Sequence, residues 1–212
     1  MSSAMPAAFP ANEHRAGRPP DLIWSLTVDQ YHAMIEAGIL TDDDPVELLS
    51  GWLVAKMPKN PRHRLATGLI REALERLVPD GWYVDSQEPV TTDDSEPEPD
   101  VMVVRGSRWG YRDRHPGPRD LALVVEVSDA TRERDRTLKK RLYARAGIPV
   151  YMIVDLRKER IEILTGPSGP AAEPDYSRRH TFGPSDQFPV TIEGSEIGFL
   201  EARTLLALAP PQ

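Results

Sequence analysis

The sequence of 212 residues contains no cysteine, carries a formal net charge of −7, and is 40% hydrophobic. This length and composition predict one globular domain with its own core and exclude disulfides and thiolate-bound zinc. No apolar run approaches the ~20 residues that span a bilayer, and no basic-then-apolar leader opens the chain, so we expect a cytoplasmic protein without a membrane partner. The acidic balance argues mildly against a nucleic-acid partner, which usually leaves a basic footprint.

Hydrophobic periodicity divides the chain into a tail and one domain. Residues 1–20 have no periodicity and predict a flexible tail, which leaves residues 21–208 as the domain. Helices are predicted at residues 28–37, 62–78, 131–146 and 200–207. Strands are predicted at 81–90, 99–104, 121–128, 150–154, 160–164 (as an edge strand), 179–182 and 188–192, with a hairpin at 47–57. This order predicts an α/β (α+β) fold, in which helices flank one central mixed sheet.

Two of the predicted strands each carry one carboxylate. Asp100 opens the run Pro-Asp-Val-Met-Val-Val, and Glu126 lies near the end of Leu-Ala-Leu-Val-Val-Glu-Val-Ser. If the strands pair antiparallel with Val104 opposite Ala122, Asp100 falls opposite Glu126, and both side chains project from one edge of the sheet. Two buried like charges repel, so a divalent cation is the simplest compensation, and neutralising either acid should preserve or raise stability without metal. Alternatively, Asp100 only starts a strand and Glu126 pairs with an arginine.

The helix predicted at 131–146 places two charged residues where apolar side chains are expected. Its apolar stripe consists of Leu138, Leu142 and Ala146. Asp135 and Lys139 lie within or beside that stripe, four residues apart with the acid first, which favours an ion pair. They form either a surface salt bridge or, because the helix follows directly after Glu126, a lysine near the carboxylates. In the second case a metal-bound water and an ammonium group would suit phosphodiester hydrolysis.

These segments resemble the PD-(D/E)XK nuclease superfamily, the fold of many restriction endonucleases. Within it the chain is similar to the Uma-type restriction endonucleases, a family formerly described as a domain of unknown function. The resemblance covers most of residues 22–207. It is carried by Glu96-Pro-Glu-Pro-Asp100-Val, Val124-Val-Glu-Val-Ser128, Asp135-x-x-x-Lys139-x-x-x-Tyr143, and the segment 146–155. The superfamily pattern has its lysine two residues after the second acid, where this chain has Ser128; the family draws its lysine from the following helix, which fits Lys139.

The resemblance implies a restriction endonuclease-like fold and a role for each site residue. Asp100 and Glu126 would bind Mg²⁺, with Mn²⁺ as a possible substitute, and would act in catalysis together with Lys139. The family's acid, glycine and histidine pattern matches Glu47, Gly51 and His63. It makes Glu47 a third candidate metal ligand and His63 a candidate nucleic-acid contact, although a surface glutamate and a structural histidine remain alternatives. The residues expected to support the site from behind are Asp135, Tyr143 and Ser128.

Two basic segments flank the proposed site in sequence. Residues 105–119 hold five arginines against one aspartate, and residues 132–145 hold seven lysines and arginines against two acids. Because the first segment joins the two carboxylate strands, we expect it to pass near the mouth of the site and to contact DNA phosphates without choosing sequence. The expected phosphate contacts are Arg105, Arg108, Arg112 and Arg114. A solvated loop without any partner is the alternative.

Two hypotheses of different classes follow. The first is a metal-dependent endonuclease that hydrolyses DNA phosphodiester bonds. The second is a catalytically inactive restriction-endonuclease-like protein that serves as a binding or scaffold module. The intact acid, acid and lysine set favours the enzyme, whereas the acidic net charge and Ser128 favour the alternative. The sequence leaves the recognition sequence, the strandedness of the substrate and the formation of a homodimer open.

Overall fold

The computed structural model describes residues 24–41, 43–128 and 135–209, apart from the side chains of residues 135 and 136. The tail expected at residues 1–20 lies outside these residues. The helices are α1 (Val28–Glu36), α2 (Pro61–Glu75), α3 (Lys140–Ala146) and α4 (Ala202–Leu205), with a π-helical turn (Asp135–Lys139) leading into α3. None of the described helices is long and apolar enough to cross a membrane.

The strands group into one large sheet and two small ones. They are β1 (Val46–Leu49), β2 (Trp52–Ala55), β3 (Trp82–Asp85), β4 (Val101–Arg105), β5 (Leu121–Ser128), β6 (Val150–Asp155), β7 (Arg160–Pro167), β8 (Tyr176–Phe182), β9 (Gln187–Ile192) and β10 (Ser195–Glu201). The central mixed sheet has the order β3-β4-β5-β6-β7-β8, while β1-β2 and β9-β10 form two-stranded sheets. Only β5 and β6 pair in parallel within the central sheet, and α3 lies in the connection between them.

The register of β4 and β5 is the feature that positions the candidate site. Val101 lies opposite Val125 in an antiparallel pair, so the continuation of this register places Asp100 beside Glu126, as the sequence predicted. The expected partner of Val104 was wrong, because an irregularity after Val103 places Val104 opposite Leu121 instead of Ala122. Such an extra residue shifts the pairing only beyond the bulge. The carboxylate end of the strand pair is therefore unaffected.

Three other predicted elements are corrected by tertiary pairing. The segment 160–164 is not an edge strand, because β7 lies between β6 and β8, and the described edges are β3 and β8. The strand predicted at 81–90 ends at Asp85, after which the chain folds back on itself with a hydrogen bond from Gln87 N to Pro99 O. The helix predicted at 200–207 is shorter, since β10 extends through Glu201 to pair with β9.

Each face of the central sheet carries a helix. On one face α2 buries Ala66, Ile70 and Leu74 against a cluster that includes Val103 and Val125. On the other face α3 buries Leu142, Tyr143 and Ala144 in a cluster with Met102 and Val124. Helix α3 ends as predicted at Gly147, whose φ of +77° is a left-handed conformation that glycine adopts without strain. The carboxylate ends of β4 and β5 thus lie between two packed helices.

Candidate active site

Lys139 is the buried cation of the site. It is the last residue of the π-helical turn, and only 4% of its surface is exposed. Its Nζ donates a 2.8 Å hydrogen bond to Glu126 Oε1 and lies 3.3 Å from Glu47 Oε2. The lysine therefore does not extend into solvent; it joins two carboxylates from different elements. Of the two interpretations that the sequence allowed, the structure supports the lysine near the carboxylates.

Glu126 is held by two donors from the same helical segment. Lys139 and Tyr143 are four residues apart and so share one helix face, and Tyr143 Oη donates a 2.7 Å hydrogen bond to the same oxygen, Glu126 Oε1. Burial, together with the negative charge of Glu126, raises the pKa of the Tyr143 hydroxyl well above its usual range. Tyr143 therefore remains a hydrogen-bond donor at any physiological pH and keeps this carboxylate oriented.

Asp100 is held from the opposite face of the sheet. Its Oδ2 accepts a 2.8 Å hydrogen bond from Val127 N and lies 3.2 Å from His63 Nε2. His63 stands in the first turn of α2, where its backbone N donates to the Asn60 side chain, so the helix cap fixes the histidine. Asp100 and Glu126 are neighbours in register, yet one contacts the α2 side and the other the α3 side of the sheet.

Glu47 is a buried member of the site. It lies in β1, is 2% exposed, and its Oε2 accepts a 3.2 Å hydrogen bond from Glu98 N in addition to its ion pair with Lys139. The hairpin is anchored over the sheet because Glu96 N donates to Leu48 O. The surface alternative for Glu47 is therefore wrong. The tertiary fold brings this acid to Lys139 across a long stretch of sequence.

The carboxylates of the site are the ligand type that suits Mg²⁺, but their spacing in the structure does not form a three-ligand metal site. Asp100, Glu126 and Glu47 are buried carboxylates at one end of the sheet, and carboxylate oxygen is the ligand type that Mg²⁺ prefers. Among the described residues, however, no three His, Cys, Asp or Glu side chains converge closely enough to hold a metal. Mg²⁺ commonly takes only one or two carboxylates and completes its shell with water and phosphate oxygens. Asp100 and Glu126, neighbours in register, would supply two such carboxylates, while Lys139 pairs with both Glu126 and Glu47.

The structure describes the side chain of only one of two further residues expected to support the site, Ser128 and Asp135. Ser128 is fully buried, and its hydroxyl has no hydrogen-bond partner within the described part of the chain. The side chain of Asp135 lies outside what the structure describes. The expected ion pair between Asp135 and Lys139 thus stays a prediction.

The two ends of the arginine-rich segment 105–119 lie at the end of the sheet opposite the carboxylates, contrary to the expectation for this segment. It leaves β4 at Arg105 and enters β5 at Leu121, whereas the carboxylates lie at the other ends of these strands. Five residue steps along the strand separate Asp100 from Arg105, about 16 Å at ~3.3 Å per residue. The two residues that anchor the segment in β4 and β5 are therefore distant from the carboxylates.

Four of the five arginines of this segment form ion pairs with carboxylates. Arg105 pairs with Glu193, Arg108 with Asp85, Arg112 with Asp113 and Arg114 with Asp120. These pairs are exposed and weak by nature, so they do not prevent the arginines from contacting phosphate. Their role in binding nucleic acid, like that of His63, stays a prediction.

Buried charges that the sequence did not single out lie in two further places. Glu96 accepts hydrogen bonds from Thr91 Oγ1 at 2.6 Å and His32 Nε2 at 2.7 Å. Glu162, in β7, is 1% exposed and contacts two arginines. A glutamate inside the apolar run Ile-Glu-Ile-Leu was the available signal for Glu162. The sequence predicts only an edge strand at 160–164 and assigns this glutamate no role.

Comparison with solved structures shows that the chain has a nuclease-like fold. The chain matches the crystal structure of a "putative nuclease belonging to DUF820" from Anabaena variabilis with a TM-score of 0.60 and 13% identity, over 86% of this chain and 98% of that one. Residues 28–198 match the model of the Uma2 family, described as "Putative restriction endonuclease". The chain belongs to that family. No curated protein sequence matches it.

Proposed function

We propose that this protein is a metal-dependent endonuclease that hydrolyses DNA phosphodiester bonds. The observation that carries the proposal is the buried set of Asp100, Glu126 and Lys139 at one end of the central sheet. Burying two carboxylates and an ammonium group is costly, and such a set gives no more stability than an apolar core of the same volume. In a chain of a restriction endonuclease family, the cost is explained by chemistry at this site.

Each residue has a role that follows from its contacts. Asp100 and Glu126 would hold Mg²⁺, or Mn²⁺ in its place, which when bound polarises the phosphate and lowers the pKa of a water ligand. Lys139 stabilises the negative charge that accumulates on the phosphate oxygens. Tyr143 orients Glu126, and His63 lies against Asp100. Glu47, like Glu126, pairs with the ammonium group of Lys139 and so helps to hold it in position.

A cleavage assay tests the proposal. The full chain is incubated with supercoiled, linear duplex and single-stranded DNA of mixed sequence, with Mg²⁺, with Mn²⁺ and with a chelator. We expect cleavage that requires the cation and is abolished by Asp100→Asn. The matched control is Asp175→Asn, which neutralises an acid paired with Lys140 on the surface. Absence of cleavage on every substrate with both cations contradicts the proposal, as does equal activity of the two variants.

A binding or scaffold protein without cleavage is the second candidate. The observation in its favour is that the ammonium group of Lys139 forms ion pairs with both Glu126 and Glu47. Calorimetric titration of Mg²⁺ into the unmodified chain and into Asp100→Asn separates the two candidates. Binding that is lost in the variant supports the enzyme, and no binding to either protein supports the second candidate.

A further inference from the structure

A second group of charged residues shares the end and the face of the sheet that carry Glu126. Glu126 is registered with Ile153 on β6, and Ile153 with Glu162 on β7. Residues in register on adjacent strands project to the same face, so Glu162 lies about 10 Å from Glu126 at ~4.8 Å per strand. Two rows further along, on the same face and at the same end, Ser128, Asp155 and Arg160 are in register.

Glu162 holds two guanidinium groups. Arg160 Nη2 lies 2.7 Å from Glu162 Oε1, and Arg179 Nε, from the edge strand β8, lies 3.5 Å from Glu162 Oε2. Arg160 Nε also lies 3.9 Å from Asp155 Oδ2. A guanidinium group has five donors in a planar fork, so one carboxylate does not exhaust it.

The acids of this group are inside and the arginines reach the surface. Asp155 and Glu162 are 0% and 1% exposed, whereas the side chains of Arg160 and Arg179 are 32% and 51% exposed. A solvent-borne ligand therefore meets positive charge with a fixed orientation. The turn between β6 and β7, at the same end, exposes Arg157 and Lys158 together with one acid, Glu159.

The charged group around Glu162 lies at the same end of the sheet as Glu126, whereas the arginine-rich segment 105–119 joins the opposite ends of β4 and β5. Arg160 is registered with Asp155 at the end of β6, which runs parallel to β5 and ends beside it. A nucleic-acid strand that reaches Glu126 can thus pass over Arg160 and Arg179 without crossing the sheet. Phosphate contacts of this kind set the position of a strand without reading its bases.

We propose that Arg160 and Arg179, held by the buried Glu162, form a phosphate-binding surface that positions a DNA strand at the Glu126 site. The inference rests on the proposed function, since it names how that site holds its substrate. Arg160 and Arg179 are positioning residues; they contact a phosphate other than the one that is cleaved. The competing explanation is that arginines on the edge strand β8 only deter pairing with other chains.

Two neighbouring arginines on β8 provide a matched test. Successive strand residues point to opposite faces, so Arg178 and Arg179 are both exposed but only Arg179 faces Glu162. Arg179→Gln and Arg178→Gln remove the same charge from the same strand. Binding is measured by fluorescence anisotropy with a labelled mixed-sequence DNA duplex, at three salt concentrations, in full-length protein that carries Asp100→Asn to prevent cleavage.

We expect Arg179→Gln to weaken binding about tenfold and to reduce the salt slope of log K by roughly 0.9, the value for one duplex phosphate contact. Arg178→Gln should leave both unchanged. Arg179→Lys should restore the slope and only part of the affinity, because it retains the charge and loses the fork. Equal effects at positions 178 and 179, or no effect at 179, overturn the inference. It is also overturned if only neutralising Arg108, Arg112 and Arg114 together lowers the slope.

The failure of this inference is distinguishable from that of the proposed function. Cleavage by the otherwise unmodified chain, with binding insensitive to Arg179, overturns the phosphate-binding surface alone. Binding that depends on Arg179, without cleavage under any cation, overturns the proposed enzyme alone. No duplex binding at the lowest salt concentration overturns the phosphate-binding surface whatever the cleavage assay shows.

Discussion

Lys139 and Glu126 form a buried ion pair of 2.8 Å between residues 13 positions apart, and Glu47 lies 3.3 Å from the same ammonium group. The carboxylates at this end of the sheet therefore have a counter-charge that belongs to the chain itself. This finding changes what neutralising each acid should do, because a charge that is already paired gains nothing from the loss of its partner.

Glu126→Gln should destabilise the metal-free protein by about 3–5 kcal/mol, since it breaks a buried ion pair. Asp100→Asn should cost about 1–2 kcal/mol, because an amide oxygen can still accept the hydrogen bond from Val127 N. The free energy of unfolding in urea, measured with a chelator present, checks both. Both losses reverse the expectation from like-charge repulsion, which was that neutralising either acid preserves or raises stability. A Glu126→Gln protein as stable as the unmodified chain would restore that expectation.

Lys139→Met should make the thermal stability of the protein depend strongly on divalent cations. Without the ammonium group, the buried carboxylates of Glu47 and Glu126 lose their counter-charge, and a bound divalent cation would replace it. We expect a larger increase of Tm with Mg²⁺ than in the unmodified chain, together with a loss of cleavage by several orders of magnitude. A ligand that binds only the native state at a hundred times its Kd contributes about 2.7 kcal/mol.

Lys140→Met is the control for this experiment. Its ammonium group pairs with Asp175 at 2.8 Å near the surface, a kind of contact that contributes about 0–1 kcal/mol. Mg²⁺ should shift the Tm of this variant as it shifts that of the unmodified chain. Equal responses of the two lysine variants would contradict the role assigned to Lys139.

In Tyr143→Phe, the free energy of unfolding should fall less steeply with pH above pH 10 than in the unmodified chain. The native pKa of Tyr143 is raised above its ordinary value of 10.0, so above that pH the unfolded chain releases a proton that the folded protein keeps. The contribution of Tyr143 is thus fully present below pH 10 and is lost as the pH rises towards the native pKa. One such proton changes the slope by about 1.4 kcal/mol per pH unit. Urea unfolding above pH 10 measures it, and identical slopes in both proteins would contradict it.

Gly51→Ala should destabilise the protein more than Gly81→Ala does. Both glycines have a positive φ, +79° and +86°, so both substitutions carry the same backbone strain. A Cβ at Gly51 would lie 2.7 Å from Ser25 Cβ and 3.0 Å from Leu26 O, whereas at Gly81 nothing lies within 4 Å. We expect about 1 kcal/mol for Gly81 and about 1–3 kcal/mol more for Gly51, from the overpacking. Thermal unfolding checks it. Equal losses of stability in the two variants would mean that the β1–β2 turn can shift to relieve the contact with Ser25 and Leu26.

Local rules explain the parts of the fold that could be predicted from sequence. The capping box at Thr27 and the left-handed Gly147 define helix ends where they were expected. The neighbouring positions of Asp100 and Glu126 follow from the alternation of side chains in two antiparallel strands. Each of these features depends on residues close in sequence or on a single strand pairing.

Packing over long sequence distances decided the rest. The Ile-Glu-Ile pattern around Glu162 was read as an edge strand because alternation alone cannot show that β8 pairs outside it. The arginine-rich segment was expected near the site because it joins the two carboxylate strands. The direction of those strands places it at the far end instead.

The sequence by itself determined most of the helices and strands and which two acids become neighbours, because hydrophobic period, caps and strand alternation act locally. Only the tertiary structure decided that Lys139 lies between Glu126 and Glu47, and that Arg160 and Arg179 share a buried glutamate at the same end of the sheet. A charge pattern does not show which distant charge becomes its partner. That partner is chosen when the helices and hairpins pack on the sheet, where an unpaired buried charge is too costly to remain.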